Sequence, residues 1–501
     1  MNGIIIILLL FALMLTGMPI SISLGLTVLT FLFTMSDVPL QSVAMKLFTG
    51  IEKFEIMAIP FFILAGNFLT HGGVAKRMIN FATSLVGHIN GGLGLSGVVA
   101  CALFAAISGS SPATVMAIGS ILLPAMVKQG YPPNFGAGII ATSGSLGILI
   151  PPSIVMVMYA VATNTSIGAL FMAGIIPGIL LAFALGFTTW FLARKNNYPR
   201  YSAYPEHSFW RATINGWVGL WTGLLVTFVP PLVLAYLLVA LTGHAEAFGL
   251  LTVILFIIWM IGVYRWTKRN PSPNWLKVEA LKVWQAYWDS IWGLLLIIVV
   301  IGGIYSGIFT PTEAAAMSAV YAFVVAVWVY KDLKFKQVGK VLLDSASMSA
   351  MLLYIITNAI LFSFLLTSEG IPNAMANWMN ETGFGVIGFL LVVNIILIGA
   401  GMLMDASSIV LIMAPILVIV GTHLGVDPIH LGIIMVINME IGMITPPVGL
   451  NLYVASGITK MGLSQLSRAV VPWMLATFVV LMLVTYIPTI SLWLPKLMGL
   501  I

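Results

Sequence analysis

The chain has 501 residues, 60% of them hydrophobic and only 7% charged, with a mean hydropathy of +1.10, whereas a soluble domain carries roughly 25% charged residues. No water-soluble core can hide that much apolar side chain, so the composition specifies a polytopic membrane protein and excludes a soluble enzyme, a nucleic-acid binder and a secreted module. The net charge of +6 is therefore a matter of topology, and a single cysteine, Cys101, excludes intrachain disulfides and cysteine-based metal clusters.

Strand-period alternation is missing, so the chain reads as all-α, with about 12 transmembrane helices and two re-entrant hairpins. The N-terminal run lacks a basic n-region and is expected to be a membrane helix and not a signal peptide. Apolar stretches fall at 3–34, 51–72, 137–160, 168–193, 217–240, 246–265, 291–309, 312–330, 345–366, 429–455 and 468–491. Gly17 and Pro19 interrupt the first, which is one long pass or two short ones. The stretches 92–127 and 384–420 are broken by polar residues near their centres and read as hairpins that enter and leave on one side. The segment 275–288 mixes Lys with Trp and Tyr and is expected to be an interfacial helix.

Charge gives the orientation. Connections at 74–91, 194–215, 265–290 and 331–340, with Lys128, Lys460 and Arg468, hold 18 of the 21 Lys and Arg residues. With the hairpins counted as non-crossing, all of these fall on one face, which the positive-inside rule makes cytoplasmic.

The same order of elements occurs twice, at 92–179 and 384–474. Each copy has a hairpin with serines at its centre, a proline in the return arm, a short proline-containing loop, then a helix broken at Gly-x-x-x-Pro-Pro. Pro151 and Pro446 are 295 residues apart, but the hairpin prolines Pro124 and Pro415 are 291 apart, so a small internal length difference is expected. The charge pattern orients the copies oppositely. Inverted-topology repeats with broken helices meeting at the midplane are the build of secondary transporters. A Pro-Pro pair donates no backbone hydrogen bond and clashes with the preceding turn, so the helix unwinds there. Freed carbonyls and neighbouring hydroxyls then form an oxygen cage suited to a small cation such as Na⁺.

These segments resemble the large permease subunit of TRAP (tripartite ATP-independent periplasmic) transporters, the DctM-like family. The likeness is carried by Ser108-Gly-Ser-Ser-Pro-Ala-Thr114, Gly147-Ile-Leu-Ile-Pro-Pro-Ser153, Phe309-Thr-Pro-Thr-Glu-Ala-Ala-Ala316, Asp405-Ala-Ser-Ser408 and the run Glu440–Asn451. It covers about 1–195 and 290–501. The resemblance implies Na⁺-coupled, binding-protein-dependent import of organic acids, C4-dicarboxylates or other carboxylates, across the bacterial inner membrane; proton coupling is the alternative. It implies an elevator-type fold, a small DctQ-like membrane partner, a periplasmic DctP-like binding protein, and no cofactor beyond the coupling ion. The organisation expected is N-terminal scaffold helices at 1–91, a first transport repeat at 92–195, an insertion with two extra spans at 200–290, further scaffold helices at 291–383 and a second transport repeat at 384–501.

Candidate ion and substrate residues are Ser110, Ser111, Thr114, Gly144, Gly147 and Pro151 in the first repeat. In the second they are Asp405, Ser407, Ser408, Glu440, Gly442, Thr445, Pro446 and Asn451. Ser111, Gly147, Asp405 and Thr445 are the expected Na⁺ ligands. Asp405 is either an ion ligand or a structural acid held by backbone N–H groups. Glu440 could bind a cation, carry a proton or brace the break. Thr310 with Glu313 reads as a capping box with Pro311 at the first helical position. Glu55 is an interface residue or part of a site. The six histidines show no metal-ligand spacing, and no phosphate-binding GxxxxGK[ST] loop exists. An intramembrane serine hydrolase would lack a base beside either serine pair, and an uncoupled channel or scaffold would not need paired breaks.

Overall fold

The computed structural model describes residues 2–35, 39–199, 218, 220–234, 248–269, 278–381, 383 and 385–501. Among the described residues there are helices and turns and no strand. Among the described residues, eight helices are long and apolar enough to cross a membrane. Two of these, Ser111–Lys128 and Ala406–His423, are hairpin arms that do not have to cross.

The N-terminal run is two helices, α1 (Asn2–Leu15) and α2 (Ile20–Met35), because Gly17 takes φ 84° and Pro19 cannot continue a helix. Then come α3 (Leu40–Thr49), a short 3₁₀ turn at Phe54–Met57, α4 (Ala58–His71) and α5 (Val74–Val86). Helix α5 occupies what the sequence suggests is a connection. Its Val74, Ala75, Met78, Ile79 and Ala82 are buried on one face while Lys76 and Asn80 are exposed on the other.

The first repeat follows: α6 (Gly92–Ser108), α7 (Ser111–Lys128), α8 (Pro133–Ser143), a 3₁₀ segment at Gly144–Ile148, α9 (Ile154–Thr163) and α10 (Ile167–Lys195). Of the insertion, α11 (Leu220–Leu234) and α12 (Phe248–Arg269) are described; the loop with His244 and Glu246 and most of 200–217 lie outside the described residues. Helix α13 (Val278–Tyr305) runs unbroken from 278, inside the expected interfacial segment, through the next span, so 278–288 is not a separate interfacial helix. The aromatic residues of that segment serve instead as a core. Trp284, Tyr287 and Trp288 on α13 pack with Met260 and Val263 of α12 in a cluster distinct from the main one.

Helices α14 (Pro311–Val324) and α15 (Phe335–Ser368) come next, then α16 (Ile371–Glu381). The second repeat is α17 (Val386–Gly401), α18 (Ala406–His423), α19 (Pro428–Met443), α20 (Leu450–Thr459) and α21 (Leu463–Tyr486), followed by α22 (Thr489–Leu497). The expected length difference between the repeats is absent. Hairpin return arms α7 and α18 are both 18 residues long, and their caps Ser110 and Asp405 keep the 295-residue offset. What differs is the turn of the arm on which the proline sits: Pro124 lies one helical turn further along α7 than Pro415 along α18.

Polar contacts sort the connections by end. Arg77 of α5 pairs with Asp332 at 2.5 Å. Tyr131 donates to the Pro199 carbonyl at 2.5 Å, and Gln465 donates to Asn134 at 3.0 Å. Gly91 comes so close to Ala193 that a methyl there would lie 2.4 Å from it. These contacts group 73–91, 128–134, 190–199, 330–332 and 465 at one end. Elsewhere, Lys53 donates to the Val161 carbonyl at 2.8 Å and to Asn164 Oδ1 at 2.5 Å, tying the N-terminal helices to the far end of α9. The repeats interlock: hairpin arm α7 packs on α20 of the other repeat, and α18 packs on α9.

Candidate ion and substrate site

The first hairpin turns at Gly109, φ 59°, a left-handed position that glycine takes without strain. Its carbonyl accepts from Ile154 N–H at 3.3 Å, just beyond the first Pro-Pro pair. The second tip repeats this bond: Met402 O accepts from Val448 N–H at 3.1 Å, just beyond the second pair. So each hairpin tip supplies an acceptor to the backbone that the prolines release. Both Pro-Pro peptides are cis.

Glycine permits this approach. A methyl at Gly147 would stand 2.6 Å from Ser110 O, and one at Gly144 would meet the Val115 side chain at 2.2 Å. Gly442, the counterpart of Gly147, would carry a methyl 2.5 Å from Gly401 Cα. These three positions are explained by contact between break and hairpin before any ligand is considered.

In the first tip Thr114 Oγ1 is 2.8 Å from Ser108 Oγ and donates to Ser110 O at 2.9 Å, which locks the turn. The Ser110 side chain makes no capping bond. Ser111, fully buried, exchanges hydrogen bonds with Asn451 of the second repeat. Asn451 also donates to Ala141 O at 3.3 Å. In the second tip Asp405 caps α18: Oδ2 accepts from Ser408 N–H at 3.1 Å and Oδ1 from the Ser408 hydroxyl at 2.5 Å. Ser407 beside it is half-buried. Thr445 Oγ1 donates to Ile441 O at 2.6 Å.

The four expected Na⁺ ligands thus divide between two clusters, one per repeat: Ser111 with Gly147, and Asp405 and Thr445 around the other tip and break. Their chemistry fits a small hard cation. The Ser111 and Thr445 hydroxyls give their protons to other acceptors; Ser111 Oγ, which also accepts from Asn451, keeps one lone pair free, Thr445 Oγ1 keeps both, and each Asp405 oxygen accepts one bond only. The breaks differ in exposure. Pro151 and Pro152 are buried, while Pro446, Pro447 and Val448 are exposed.

Sequence reasoning misses a buried polar string in the second repeat. His430 lies 2.7 Å from Ser491 Oγ and 3.3 Å from Thr485 O. Asn394 donates to Thr485 Oγ1 at 3.2 Å, and Asn438 donates to Asn394 Oδ1 at 2.7 Å. The signal was a lone Asn inside the apolar run of α17 and a His near the start of α19, both rare in membrane helices. Glu440, two residues beyond Asn438, is fully buried and neither of its oxygens has a partner. At the other end, Glu55 is exposed and shares a cavity of about 350 Å³ with Lys53 and Asn164. Burial holds the Lys53 ammonium below the usual lysine range, and Glu55 works against that shift.

A family model described as "Tripartite ATP-independent periplasmic transporter, DctM component" matches residues 7–253 and 229–490. The chain belongs to the DctM family. This permease is therefore a transporter subunit and not an enzyme. It is similar to the C4-dicarboxylate TRAP transporter large permease protein DctM of Rhodobacter capsulatus, 58% identical over all of both chains. The isethionate TRAP transporter permease protein DctMQ of Oleidesulfovibrio alaskensis is 36% identical over 95% of this chain and 64% of its own length. The crystal structure of the YdaH transporter of Alcanivorax borkumensis matches the fold at TM-score 0.52, with 15% identity over 93% of this permease and 89% of that chain.

Proposed function

We propose that the permease is the membrane-spanning transport subunit of a secondary active, Na⁺-coupled, binding-protein-dependent importer of C4-dicarboxylates in the bacterial inner membrane. The observation that carries this reading is the pair of tip–break clusters with free oxygen lone pairs, one in each repeat. Coupling requires that cation and substrate bind together; a cation at Ser111 and Gly147 would offset one charge of a dicarboxylate held between the tips, and a second at Asp405 and Thr445 would keep the Asp405 carboxylate from repelling it. The substrate class rests on the 58% identical relative, named for C4-dicarboxylates. A DctQ-like partner is supported by the DctMQ relative, of which this chain matches only 64%; family membership supports a DctP-like binding protein.

The two repeats form one moving body that slides against the scaffold helices of 1–91 and 291–383 in an elevator motion. The charge pattern supports an inverted arrangement, because the basic connections that the contacts group at one end are those the positive-inside rule makes cytoplasmic.

The test is succinate uptake into proteoliposomes holding the permease, its small partner and the binding protein. Uptake should follow a Na⁺ gradient and be negligible when either partner is left out. Equal uptake on a proton gradient in the absence of Na⁺ would reject Na⁺ coupling. A cysteine at Lys334 should be labelled only from the cytoplasmic side.

A further inference from the structure

Glu440 is the one Asp or Glu among the described residues that is buried. It sits in the last turn of α19, and both carboxyl oxygens lack a hydrogen-bond partner. An ionised carboxylate held there unpaired would cost several kcal/mol after all relaxation, and the surrounding bilayer adds to that cost. Something must neutralise it: a basic side chain, a metal cation or a proton.

Among the described residues, no basic side chain is in place. Helix α17 and the 3₁₀ segment packed on α19 carry no titratable group. Tyr159 of α9 spends its hydroxyl on Pro428 O at 2.5 Å. Helix α18 offers Asp405, bound to Ser408, and His423 at its opposite end. The charged groups of α10, Arg194 and Lys195, lie in its last turn, and Lys496 in that of α22. Helices α20 and α21 bear Tyr453, Tyr486 and Arg468, with Lys460 as the exposed cap of α20, and none of these bonds to Glu440. On α19 itself His430 is ten residues away, about 15 Å along the axis, and is committed to Ser491.

A metal cation is poorly served as well. The other buried unpartnered oxygens in the two broken helices are Asn438 Oδ1 and Ser143 Oγ. Asn438 is two residues from Glu440 on a regular helix, so the two side chains leave it about 200° apart. They do not converge on one ion. A proton needs no such ligand set.

We propose that Glu440 is a proton-binding site: it is held as the neutral acid in the second repeat and exchanges its proton through the adjoining break. The exit is the break that follows α19. Helix α19 ends at Met443, Thr445 is half-buried, and Pro446, Pro447 and Val448 are exposed. Five residues separate the acid from backbone already in contact with the surroundings. The equivalent position in the first repeat, 295 residues earlier, is Ser145, a hydroxyl satisfied by Thr142 O at 2.6 Å. The shared architecture therefore does not need an acid there; the second repeat alone has one. Protonation is independent of whether Na⁺ or H⁺ drives uptake.

The experiment is infrared spectroscopy of the full-length permease in nanodiscs at neutral pH, in water and in D₂O. The expected result is a carbonyl stretch of a protonated carboxylic acid, at the high frequency of a group without hydrogen bonds, lowered in D₂O and absent from Glu440→Gln. Asp405→Asn should leave the band unchanged. If Glu440→Gln does not assemble, Glu440→Asp serves: it should keep a protonated-acid band, moved in frequency. Saturating NaCl at fixed pH should leave the wild-type band in place. A wild-type spectrum with no protonated-acid band at neutral pH overturns the proposal, and so does loss of the band on adding Na⁺. Neither result bears on whether the permease imports dicarboxylates, which the uptake assay decides separately.

Discussion

Ser111 at the tip of the first hairpin and Asn451 beyond the break of the second repeat hold each other by two hydrogen bonds, of 3.0 and 2.7 Å, across 340 residues of sequence. Both side chains are fully buried. Removing either one leaves the other with an unsatisfied polar group, which costs about 1–3 kcal/mol. Ser111→Ala and Asn451→Ala should each lower the melting temperature in detergent. The double variant should fall short of their sum by about 1–2 kcal/mol, because the second change removes a partner already orphaned. Strict additivity would show that the pair is not coupled.

Gly442→Ala should be far more damaging than its size suggests. The new methyl would stand 2.5 Å from Gly401 Cα, and backbone in two packed helices has little room to retreat. Overpacking of this kind costs about 1–3 kcal/mol. Gly302→Ala on α13 is the control, since its methyl meets nothing within 4 Å. That variant should be neutral or more stable by up to about 1 kcal/mol. Thermal unfolding of the two in parallel checks both.

Asp405 does two things that substitution can separate. Asn is as good an N-cap as Asp, so Asp405→Asn should keep the bond to Ser408 N–H and the fold. It loses the charge that would offset a cation, so half-maximal uptake should require more Na⁺. Asp405→Ala loses the cap as well, at about 1 kcal/mol. An unchanged Na⁺ titration in Asp405→Asn would remove this residue from the ion site.

Thr310→Ala should lower stability by about 1 kcal/mol and leave the Na⁺ dependence alone. Its hydroxyl accepts from Glu313 N–H at 3.3 Å, and the Glu313 carboxylate accepts from Thr310 N–H at 2.8 Å, a complete capping box at the start of α14. A changed Na⁺ requirement would place Thr310 in the transport path.

What the sequence disclosed is what local chemistry dictates. Pro-Pro pairs had to break their helices, serines between apolar arms had to turn, and Thr310 with Glu313 had to cap. Helices α5 and α16 were hidden because they are short and half-polar, and α5 also lies where charge suggests a loop. The fusion of 278–288 into α13 was hidden because Lys, Trp and Tyr suit an interface as well as a core; the packing of Trp284 and Trp288 against α12 decided it. The pairing of prolines Pro124 and Pro415 misled the repeat alignment, because a proline can shift by one turn without changing an arm's length. The His430–Thr485–Asn394–Asn438 string was invisible because each residue is explained only by a neighbour on another helix.

The interlocking of the repeats sets an order on how the molecule is made. A ribosome adding about 5–20 residues per second needs roughly 20–70 seconds to pass from Ser111 to Asn451, the 340 residues that separate the partners. Through that interval α7 waits without α20 and α9 without α18. The nascent first half therefore carries polar groups into the bilayer with nothing to answer them, and the insertion machinery or an escort must shelter it. A chain cut short in the insertion would be an orphan half, a natural target for membrane proteolysis.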